Sequence, residues 1–429
     1  MERLGTLWHY LAARRRFAGA RVSHDKTVRR HLRWIAERSP YFAERVRSFG
    51  LDHWRDWPVT NKAEMMVNFD AWNTARVGLE EALCFAELAE RTRDFSKTLR
   101  GLTVGLSSGT TGSRGIFLAS PAERQLWAGV LLARVLRGTL LSHCHRAALF
   151  LRADSPLYHS VGSRRLEFAF FDLFQPLEAH GSRLREFRPT VLAAPPSVLV
   201  QLAASGIARN LLEPPAILLS VADVLDESDR EVIEQAFGTK LGQIYQATEG
   251  FLAATCPYGR LHWNEDLVVV QKEWIDSGRT RYVPILTDFR RVTQPVVRYR
   301  LDDVIVRGDA SPCPCGSQFE TLEAIEGRWD DLLRLPRRDG GGEALIYPDF
   351  VRRTIILSVP TGTDYAVTQV SSEEWLISCS PSCDLGGVRR QLEEFCLAQG
   401  AVTPRLKEMD WSPPPFHAKR RRIRRQIPP

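Results

Sequence analysis

The chain has 429 residues, which is more than one hydrophobic core usually supports and predicts a large domain together with a smaller one. Its composition, 44% hydrophobic and 25% charged, is that of a folded globular protein and excludes a disordered or fibrous chain. The net charge of +7 is concentrated in the segment 419–425 (KRRRIRR), whose six positive charges leave the rest of the chain at +1. A nearly neutral body argues against nucleic acid as a partner, so the basic tail needs its own explanation.

The sequence favours a cytoplasmic protein without a membrane partner. In residues 4–16 (LGTLWHYLAARRR) the arginines follow the apolar run, which is the reverse of a secretory signal, and Glu2 argues against a transit peptide. The apolar run 126–141 contains Arg134 and Arg137 and is too short to span a bilayer. Eight cysteines are too few for a disulfide scaffold, which agrees with a reducing compartment.

The first hundred residues are predicted to be mostly helical. The segment 28–39 (VRRHLRWIAERS) has helical apolar spacing, and Pro58 interrupts the pattern that follows. We identify no motif with a chemical role there. Residues 99–120 then place a loop between two short strands, and Ser120 with Glu123 predicts a capping box at the start of the next helix.

A strand, a helix and a second strand follow further along the chain. The segment 216–225 (AILLSVADVL) reads as a buried strand, 226–238 as a helix that ends at Gly238, and 241–250 (LGQIYQATEG) as a strand with a polar turn. Such βαβ units predict a parallel sheet that binds ligands beyond the carboxyl ends of its strands. Glu249 lies at such an end.

The predicted fold class is therefore α/β. We expect a large N-terminal domain, residues 1–329, with mostly parallel sheets flanked by helices. Near Asp330 the pattern becomes shorter and more polar, which predicts a small α+β C-terminal domain at residues 330–429.

The loop SSGTTGSRG, residues 107–115, has a composition suited to holding phosphate. Glycines let the backbone come close to a ligand, and hydroxyls with one arginine match phosphate oxygens. The loop is not of the Walker type, because the Gly-Lys-Ser/Thr ending and the following helix are missing. A flexible surface hairpin is the alternative interpretation.

Four further motifs follow this loop in order. They are YQATEG at 245–250, YRLDDV at 299–304, EGRWDD at 326–331 and AKRRRI at 418–423. Together with the loop they make the chain resemble the adenylate-forming superfamily of acyl-CoA synthetases and adenylation domains. Within it the chain is most similar to the phenylacetate–CoA ligase-like branch, and there to adenylate-forming enzymes related to the deazaflavin-coenzyme adenylyltransferases. The resemblance covers nearly the whole chain.

The resemblance implies ATP as a substrate, with the loop folded over its β- and γ-phosphates. The loop residues that match are Ser107, Ser108, Gly109, Thr110, Thr111 and Gly112. Many members have a lysine near the end of this loop. Here Arg114 replaces it, which keeps the positive charge but offers a planar fork of donors.

The second motif is implied to bind the adenine and the α-phosphate. Tyr245 matches a tyrosine that stacks on adenine, with Gln246 beside it, and Thr248 matches a threonine that contacts the α-phosphate. Glu249 matches a Mg²⁺ ligand, a role that suits a carboxylate acting with waters and phosphate oxygens. Asp223 aligns with an acidic residue of the adenine-side loop, although the usual Gly-Gly-Glu or Gly-Ala-Glu is absent here.

The last three segments are implied to bind the ribose and to catalyse adenylation. Asp303 matches an aspartate that accepts hydrogen bonds from the ribose hydroxyls, and Arg328 an arginine that contacts ribose and phosphates. Asp330 matches the residue about which a mobile C-terminal domain rotates, and Lys419 the lysine that enters the site, although Ala418 replaces the usual glycine. A nucleic-acid arm, a membrane-surface patch and a solvated tail remain alternatives for this segment.

A separate group of residues has the chemistry of a zinc site. Cys256 and His262 precede Cys313 and Cys315, and three thiolates with one imidazole suit tetrahedral Zn²⁺. Some phenylacetate–CoA ligase-like members support this hypothesis by resemblance. Buried free cysteines and a surface histidine are the alternative. The remaining cysteines are predicted to have no special role: Cys84, Cys144, Cys379, Cys383 and Cys396.

The leading hypothesis is an ATP- and Mg²⁺-dependent ligase. It would activate a carboxylic acid, expected to be aryl, as its acyl-adenylate and transfer the acyl group to coenzyme A or to the pantetheine of a carrier protein. One alternative transfers AMP to a phenolic hydroxyl of a cofactor-like acceptor. An alternative of another class is a degenerate, non-catalytic nucleotide-binding module. The sequence does not indicate the oligomeric state.

Overall fold

The computed structural model describes residues 2–17, 24–107, 115–136, 140, 142–152, 162, 164–360, 363–380, 383–415 and 421–426. Within them the α-helices are α1 (Glu2–Phe17), α2 (Asp25–Ala36), α3 (Pro40–Phe49), α4 (Lys62–Val67), α5 (Phe69–Trp72), α6 (Leu79–Thr92), α7 (Pro121–Val135), α8 (Glu178–Phe187), α9 (Pro196–Ala204), α10 (Glu227–Phe237), α11 (Pro348–Ile356) and α12 (Leu385–Ala398). Short 3₁₀ turns occupy Trp54–Asp56 and Trp329–Asp331.

The strands follow in chain order. They are β1 (Thr103–Leu106), β2 (Ile116–Ala119), β3 (His145–Leu151), β4 (Leu166–Asp172), β5 (Val191–Ala194), β6 (Ile217–Ser220), β7 (Leu241–Ala247), β8 (Gly250–Thr255), β9 (Leu261–Trp263), β10 (Val268–Trp274), β11 (Arg281–Asp288), β12 (Val296–Arg300), β13 (Asp303–Arg307), β14 (Thr321–Arg328), β15 (Leu333–Pro336), β16 (Glu343–Ile346), β17 (Tyr365–Gln369), β18 (Glu374–Cys379), β19 (Arg405–Glu408) and β20 (Ile423–Arg425).

One large sheet organises the N-terminal part of the described chain. Its strand order is β10-β11-β13-β14-β9-β8-β7-β6-β5-β3-β4, and β12 also pairs with β11. On one side of the sheet, the neighbouring strands β7, β6, β5, β3 and β4 are parallel. On the other side, the neighbouring strands β7, β8, β9, β14, β13, β11 and β10 are antiparallel. The α/β class is confirmed, but the sheet is more mixed than predicted. Helices connect β4 to β7 along the chain, whereas short turns connect strands such as β8 and β9, and short turns permit only antiparallel pairing.

Local predictions along the chain agree with these elements. Ser120 caps α7 through a capping box with Glu123, and Pro121 occupies the first turn. Helix α10 ends at Gly238, whose φ of 64° is the left-handed conformation that glycine adopts without steric cost. The strands β6 and β7 on either side of α10 are parallel neighbours, as the βαβ pattern predicts.

Helix α1 packs along α7 on one side of the large sheet. The two helices come close at Gly129, where an added Cβ would lie 2.7 Å from the carbonyl oxygen of Thr6 and 2.5 Å from Cβ of His9. The absence of a side chain at Gly129 therefore sets this close approach. It leaves a different face of α7 toward the cleft described below.

The C-terminal part has a core of its own. Its sheet has the order β19-β18-β17-β20, and β15 and β16 form a separate hairpin. The core includes Leu333, Trp375, Leu392 and Ile423, all buried. A smaller C-terminal domain is thus confirmed as part of the fold. The division between residues 329 and 330 stays a prediction, although this core begins just beyond it.

One cysteine prediction is wrong. Cys379 and Cys383 form a disulfide with Cα atoms 5.9 Å apart, at the end of β18. Their spacing of four residues does not by itself indicate whether the two sulfurs meet, so the pairing could not be predicted from the sequence. Among the described helices, none has the length and apolar character needed to cross a bilayer.

Candidate active site

A cleft of about 1240 Å³ lies at the carboxyl ends of the parallel strands. Its walls include Pro195 after β5, Asp223 after β6 and Thr248 after β7. The C-terminal part closes the cleft with Arg421 and Arg422. The cleft therefore lies where an α/β sheet is expected to bind its ligand.

Tyr245, Asp303 and Arg328 form a connected group in this cleft. The Tyr245 hydroxyl donates to Oδ2 of Asp303 at 2.5 Å, and Nε of Arg328 lies 4.0 Å from Oδ1 of the same carboxylate. Asp303 and Arg328 are register partners on β13 and β14, which places their side chains together. Burial, reinforced by the negative charge of Asp303, raises the pKa of Tyr245 well above its usual value, so the phenol remains a donor.

Thr248 and Glu249 form a second pair beside this group. The Thr248 hydroxyl donates to Oε2 of Glu249 at 2.9 Å, and Arg291 donates to the Thr248 carbonyl at 2.5 Å. Burial, followed by the charge of Glu249, raises the pKa of Tyr299 well above its usual value. A half-buried carboxylate that faces a cleft fits Mg²⁺, which takes one or two carboxylates and keeps waters.

The sequence analysis missed Lys62, which also lines the cleft. Helix α4 begins at this lysine, and Cε of Lys62 lies only 2.8 Å from the position that a Cβ on Gly115 would take. Burial and then Arg328 lower its pKa, while Glu249 and Asp302 oppose that shift. No local pattern around Lys62 indicates this role, because its neighbours in the cleft are distant in sequence.

The predicted phosphate loop begins and ends at the cleft. Two hydrogen bonds join Ser107 and Gly115. The Ser107 N–H donates to the Gly115 carbonyl oxygen, and the Gly115 N–H donates to Oγ of Ser107, each at 2.7 Å. The antiparallel pairing of β1 and β2 closes the loop as predicted. Most of the predicted phosphate ligands lie outside the described residues: Ser108, Gly109, Thr110, Thr111, Gly112 and Arg114. Lys419 lies outside them as well.

The remaining predicted residues lie at or beside the cleft. Asp223 lines it in the turn after β6, and Gln246 is exposed at its edge. Asp330 lies in the 3₁₀ turn Trp329–Asp331, between the two parts of the chain. Asp302, next to Asp303, lines the cleft too, and burial raises its pKa.

The basic tail is not a uniform solvated charge run. Arg421 forms an ion pair with Asp331, with Nε 3.2 Å from its carboxylate. Arg422 is buried between Asp226 and Asp229 of the large domain, with Nη2 3.0 Å from Oδ1 of Asp229. Burial by itself would lower the pKa of Arg422, but the negative charges of Asp229 and Asp226 outweigh this effect and raise the pKa above its usual value. Arg421 and Arg422 thus have specific carboxylate partners, which only the tertiary contacts reveal.

The four predicted zinc ligands lie together away from the cleft, and we call them the Cys/His cluster. Their donor atoms lie within 4.8 Å of one another. Sγ of Cys256 is 3.6 Å from Sγ of Cys313, and Sγ of Cys315 is 3.5 Å from Nε2 of His262. A tetrahedral Zn²⁺ site with the usual bond lengths would have edges of about 3.8 Å and about 3.5 Å for these pairs.

The second ring nitrogen of His262 supports the same fit. Nδ1 lies 2.9 Å from the carbonyl oxygen of Phe319, and a proton donated there leaves Nε2 as the free lone pair toward the sulfurs. The cluster is assembled because β9 and β14 are neighbours and pair His262 with Thr321. The alternative in which His262 is a surface residue is wrong, since it is buried.

No family model matches the chain, and no curated protein matches it by sequence. Solved structures do match its fold. The 2-hydroxyisobutyryl-CoA ligase in the postadenylation state with 2-HIB-AMP aligns with a TM-score of 0.65 and 17% identity, over 93% of this chain and 88% of that one. The amide bond synthetase McbA from Marinactinospora thermotolerans aligns with a TM-score of 0.52 and 13% identity, over 75% and 68%.

Further solved structures match the same fold. The same 2-hydroxyisobutyryl-CoA ligase in its thioesterification state gives a TM-score of 0.53 at 18% identity, over 96% of this chain and 92% of that one. The anthranilate CoA ligase AuaEII with anthranoyl-AMP aligns at 0.50 and 16% identity, over 74% and 66%. The chain has the fold of the adenylate-forming acyl-CoA ligases.

Proposed function

We propose that the protein uses ATP and Mg²⁺ to activate a carboxylic acid as its acyl-adenylate and then transfers the acyl group to a thiol. The observation that carries the proposal is the convergence of Tyr245, Thr248, Glu249, Asp303 and Arg328 in one cleft. These residue types suit the adenosine and α-phosphate of ATP. The fold of the structural neighbours supports the same chemistry, and three of the structures named above are complexes with acyl-adenylates.

The nucleoside is proposed to bind beside Tyr245. The Asp303 carboxylate has two oxygens and several lone pairs, so it accepts from the ribose hydroxyls as well as from Tyr245. Arg328 balances the negative charge of Asp303 and reaches toward the phosphates. The pair therefore orients the ribose and leaves the α-phosphate near Thr248.

Adenylation needs positive charge where the pyrophosphate leaves. Mg²⁺ held by Glu249 would neutralise phosphate oxygens. Lys62 lies between Glu249 and the end of the phosphate loop, and we propose that its ammonium contacts phosphate oxygens as well. Lys419 is proposed to enter the cleft for this step, since its neighbours Arg421 and Arg422 line it. Each preorganised cation lowers the barrier because it needs no reorientation as charge develops.

The acid is proposed to be aryl, and the acceptor is coenzyme A or carrier-protein pantetheine. Aromatic side chains line the cleft, namely Phe117, Trp127, Phe150 and Phe174. Flat rings of this kind pack well on an aromatic acid. We assign the chain by the same motifs to the phenylacetate–CoA ligase-like branch.

The Cys/His cluster is proposed to bind a structural Zn²⁺. Four protein ligands would fill the tetrahedral positions, so no site remains for a substrate or a reactive water. The metal would join the β8–β9 turn to the loop before β14.

Acid-dependent exchange of pyrophosphate into ATP tests the proposed activity. We expect exchange with members of a panel of aryl and aliphatic acids, and product formation when coenzyme A is added. Exchange that requires a phenol, with no acid effective, would favour AMP transfer to a hydroxyl. Tight ATP binding without exchange under any condition would favour a non-catalytic binding module.

A further inference from the structure

One arginine in the cleft has a different environment from the other buried arginines. Arg124 is 8% exposed, lies in the first turn of α7 and lines the cleft beyond Trp127. Nη1 of Arg124 donates to the Thr103 hydroxyl at 2.8 Å. Within the described chain the neutral Thr103 hydroxyl is the side-chain hydrogen-bond partner of the Arg124 guanidinium, which has five N–H donors.

The other buried arginines show what such a side chain usually requires. Arg45 forms a salt bridge with Glu64, and Arg134 with Asp266. Arg422 lies between two aspartates, as described above. Arg291 donates to the Thr248 carbonyl and to Gln294. Arg45, Arg134 and Arg422 therefore have carboxylate partners, whereas the partners of Arg124 and Arg291 in the described residues are neutral. Of these two, Arg124 is the one that lines the cleft.

Two local features increase the free-energy cost of burying the Arg124 charge without a carboxylate partner. Glu123 is next in sequence, but its two oxygens accept from Ser120, Val292 and Thr293 and are already used. The start of a helix also carries a partial positive charge, which disfavours a cation and favours an anion. An anionic ligand at Arg124 would relieve both costs.

The position of Arg124 separates it from the phosphate loop. Thr103 is four residues before Ser107 on an extended strand, a distance of about 13 Å. A series of contacts instead connects Arg124 to Thr248, at the proposed α-phosphate site. Arg291 donates to the Thr248 carbonyl, its guanidinium lies 5.7 Å from the Trp127 ring centre, and Trp127 is one helical turn beyond Arg124. A group attached at the α-phosphate would extend over Trp127 toward Arg124.

The apolar part of the cleft wall includes Phe85 and Ala89 of α6 and Phe117 and Ala119 of β2, and α6 also contributes the charged Glu87 and Glu90. Phe117 and Ala119 share one face of the β1–β2 hairpin with Thr103, the partner of Arg124. Apolar side chains of β2 therefore lie on the same hairpin face as the hydrogen-bond partner of Arg124.

We propose that Arg124 binds a second carboxylate on the substrate, so that the protein activates an apolar dicarboxylic acid at its other end. This inference rests on the proposed adenylating function and specifies its substrate class. The guanidinium fork matches a carboxylate in a bidentate geometry. The Trp127 ring packs against the apolar body, and Thr103 holds the guanidinium in place.

Matched pairs of acids that differ only by the second carboxylate test the proposal. Suitable pairs are phenylacetate with 1,4-phenylenediacetate, benzoate with terephthalate, and hexanoate with adipate. We expect pyrophosphate exchange in which kcat/KM for the dicarboxylate exceeds that for its partner by about 10-fold to 100-fold, the range of a hydrogen bond to a charged group. Arg124→Gln should abolish the preference, mainly through KM, whereas Arg124→Lys should keep part of it.

Arg100→Gln is the charge-matched control, since Arg100 is exposed and pairs with Glu81. It should leave the preference unchanged. If Arg124→Gln does not fold, Arg124→Lys and protection of the wild-type protein from thermal unfolding by the dicarboxylate supply the comparison. Exchange with monocarboxylates but no dicarboxylate preference, or a preference that survives in Arg124→Gln, would overturn the inference and leave the proposed function intact. Absence of exchange with every acid would overturn both.

Discussion

The cleft and the Cys/His cluster hold their polar groups in different ways. In the cleft, charged side chains from distant segments pair with one another, as Asp303 does with Arg328 and Arg421 with Asp331. In the cluster, four metal-binding groups lie within one small volume. Pairs of charges can exchange partners when a ligand arrives, whereas a filled tetrahedral site cannot. We therefore expect the cleft to control rate and the cluster to control stability.

Cys313→Ser should have the largest effect and should act on stability alone. Loss of one ligand should remove the metal and lower the free energy of unfolding by roughly 4–5 kcal/mol, the scale of the exceptional losses that include metal sites. Metal analysis should find about one zinc per wild-type chain. Nucleotide affinity should stay unchanged.

Cys84→Ser is the control, because Cys84 is an exposed free cysteine. Wild-type protein prepared without chelator that contains no zinc would contradict the prediction. Equal melting temperatures for Cys313→Ser and wild type would also contradict it, and would remove the contrast between the two regions.

Lys419→Ala should slow adenylate formation by roughly 10²-fold to 10³-fold, the cost of removing one preorganised electrostatic group. Transfer of the acyl group from preformed acyl-adenylate to thiol should be spared, because the C-terminal domain is expected to withdraw the lysine for that step. Arg424→Ala is the control, since Arg424 is exposed and donates to Thr368 within the C-terminal part. Equal losses in both variants would reduce the tail to a nonspecific cationic segment.

Arg422→Ala should weaken the contact between the two parts of the chain. It would leave Asp226 and Asp229 buried with less compensation, at a cost of about 3 kcal/mol. We expect slower adenylation with unchanged or faster thiol transfer, measured in single-turnover experiments. Arg405→Ala is the control, because its pair with Glu374 is exposed. If both half-reactions slow together, the contacts of Arg422 with Asp226 and Asp229 support folding in general and not the domain arrangement needed for adenylation.

Glu249→Gln should have the smallest effect of these variants on nucleotide affinity and a selective effect on metal dependence. The Mg²⁺ concentration for half-maximal exchange should rise about tenfold, since one charged ligand of a hard cation is lost. Titration of Mg²⁺ at saturating ATP measures this shift. The exposed Glu343→Gln is the control, and unchanged rates at limiting Mg²⁺ in Glu249→Gln would remove Glu249 from the metal site.

Local sequence patterns predicted those features that depend on neighbours along the chain. The capping box at Ser120, the glycine stop at Gly238 and the β6–α10–β7 unit each follow from a few adjacent residues. The motif around Tyr245 was recognised in the same way. The antiparallel half of the sheet was not predicted, because strand pairing depends on which strands meet after folding.

Charged residues with distant partners could not be found from sequence. Lys62 lies in a segment without a recognisable motif, yet it reaches the end of the phosphate loop. The partners of Arg422 are almost two hundred positions away. No local sequence pattern distinguishes Arg124 either, because its distinguishing feature is the lack of a carboxylate partner in the described structure.

The sequence by itself determined the α/β class, the order of the motifs and the residues that we propose to bind phosphate, ribose and metal. These features depend on residue type and on short-range backbone preferences, which act before the chain folds. The tertiary structure alone decided which charges are paired and which face the cleft. Electrostatic pairing depends on distance and burial, and both are set only when remote segments pack together.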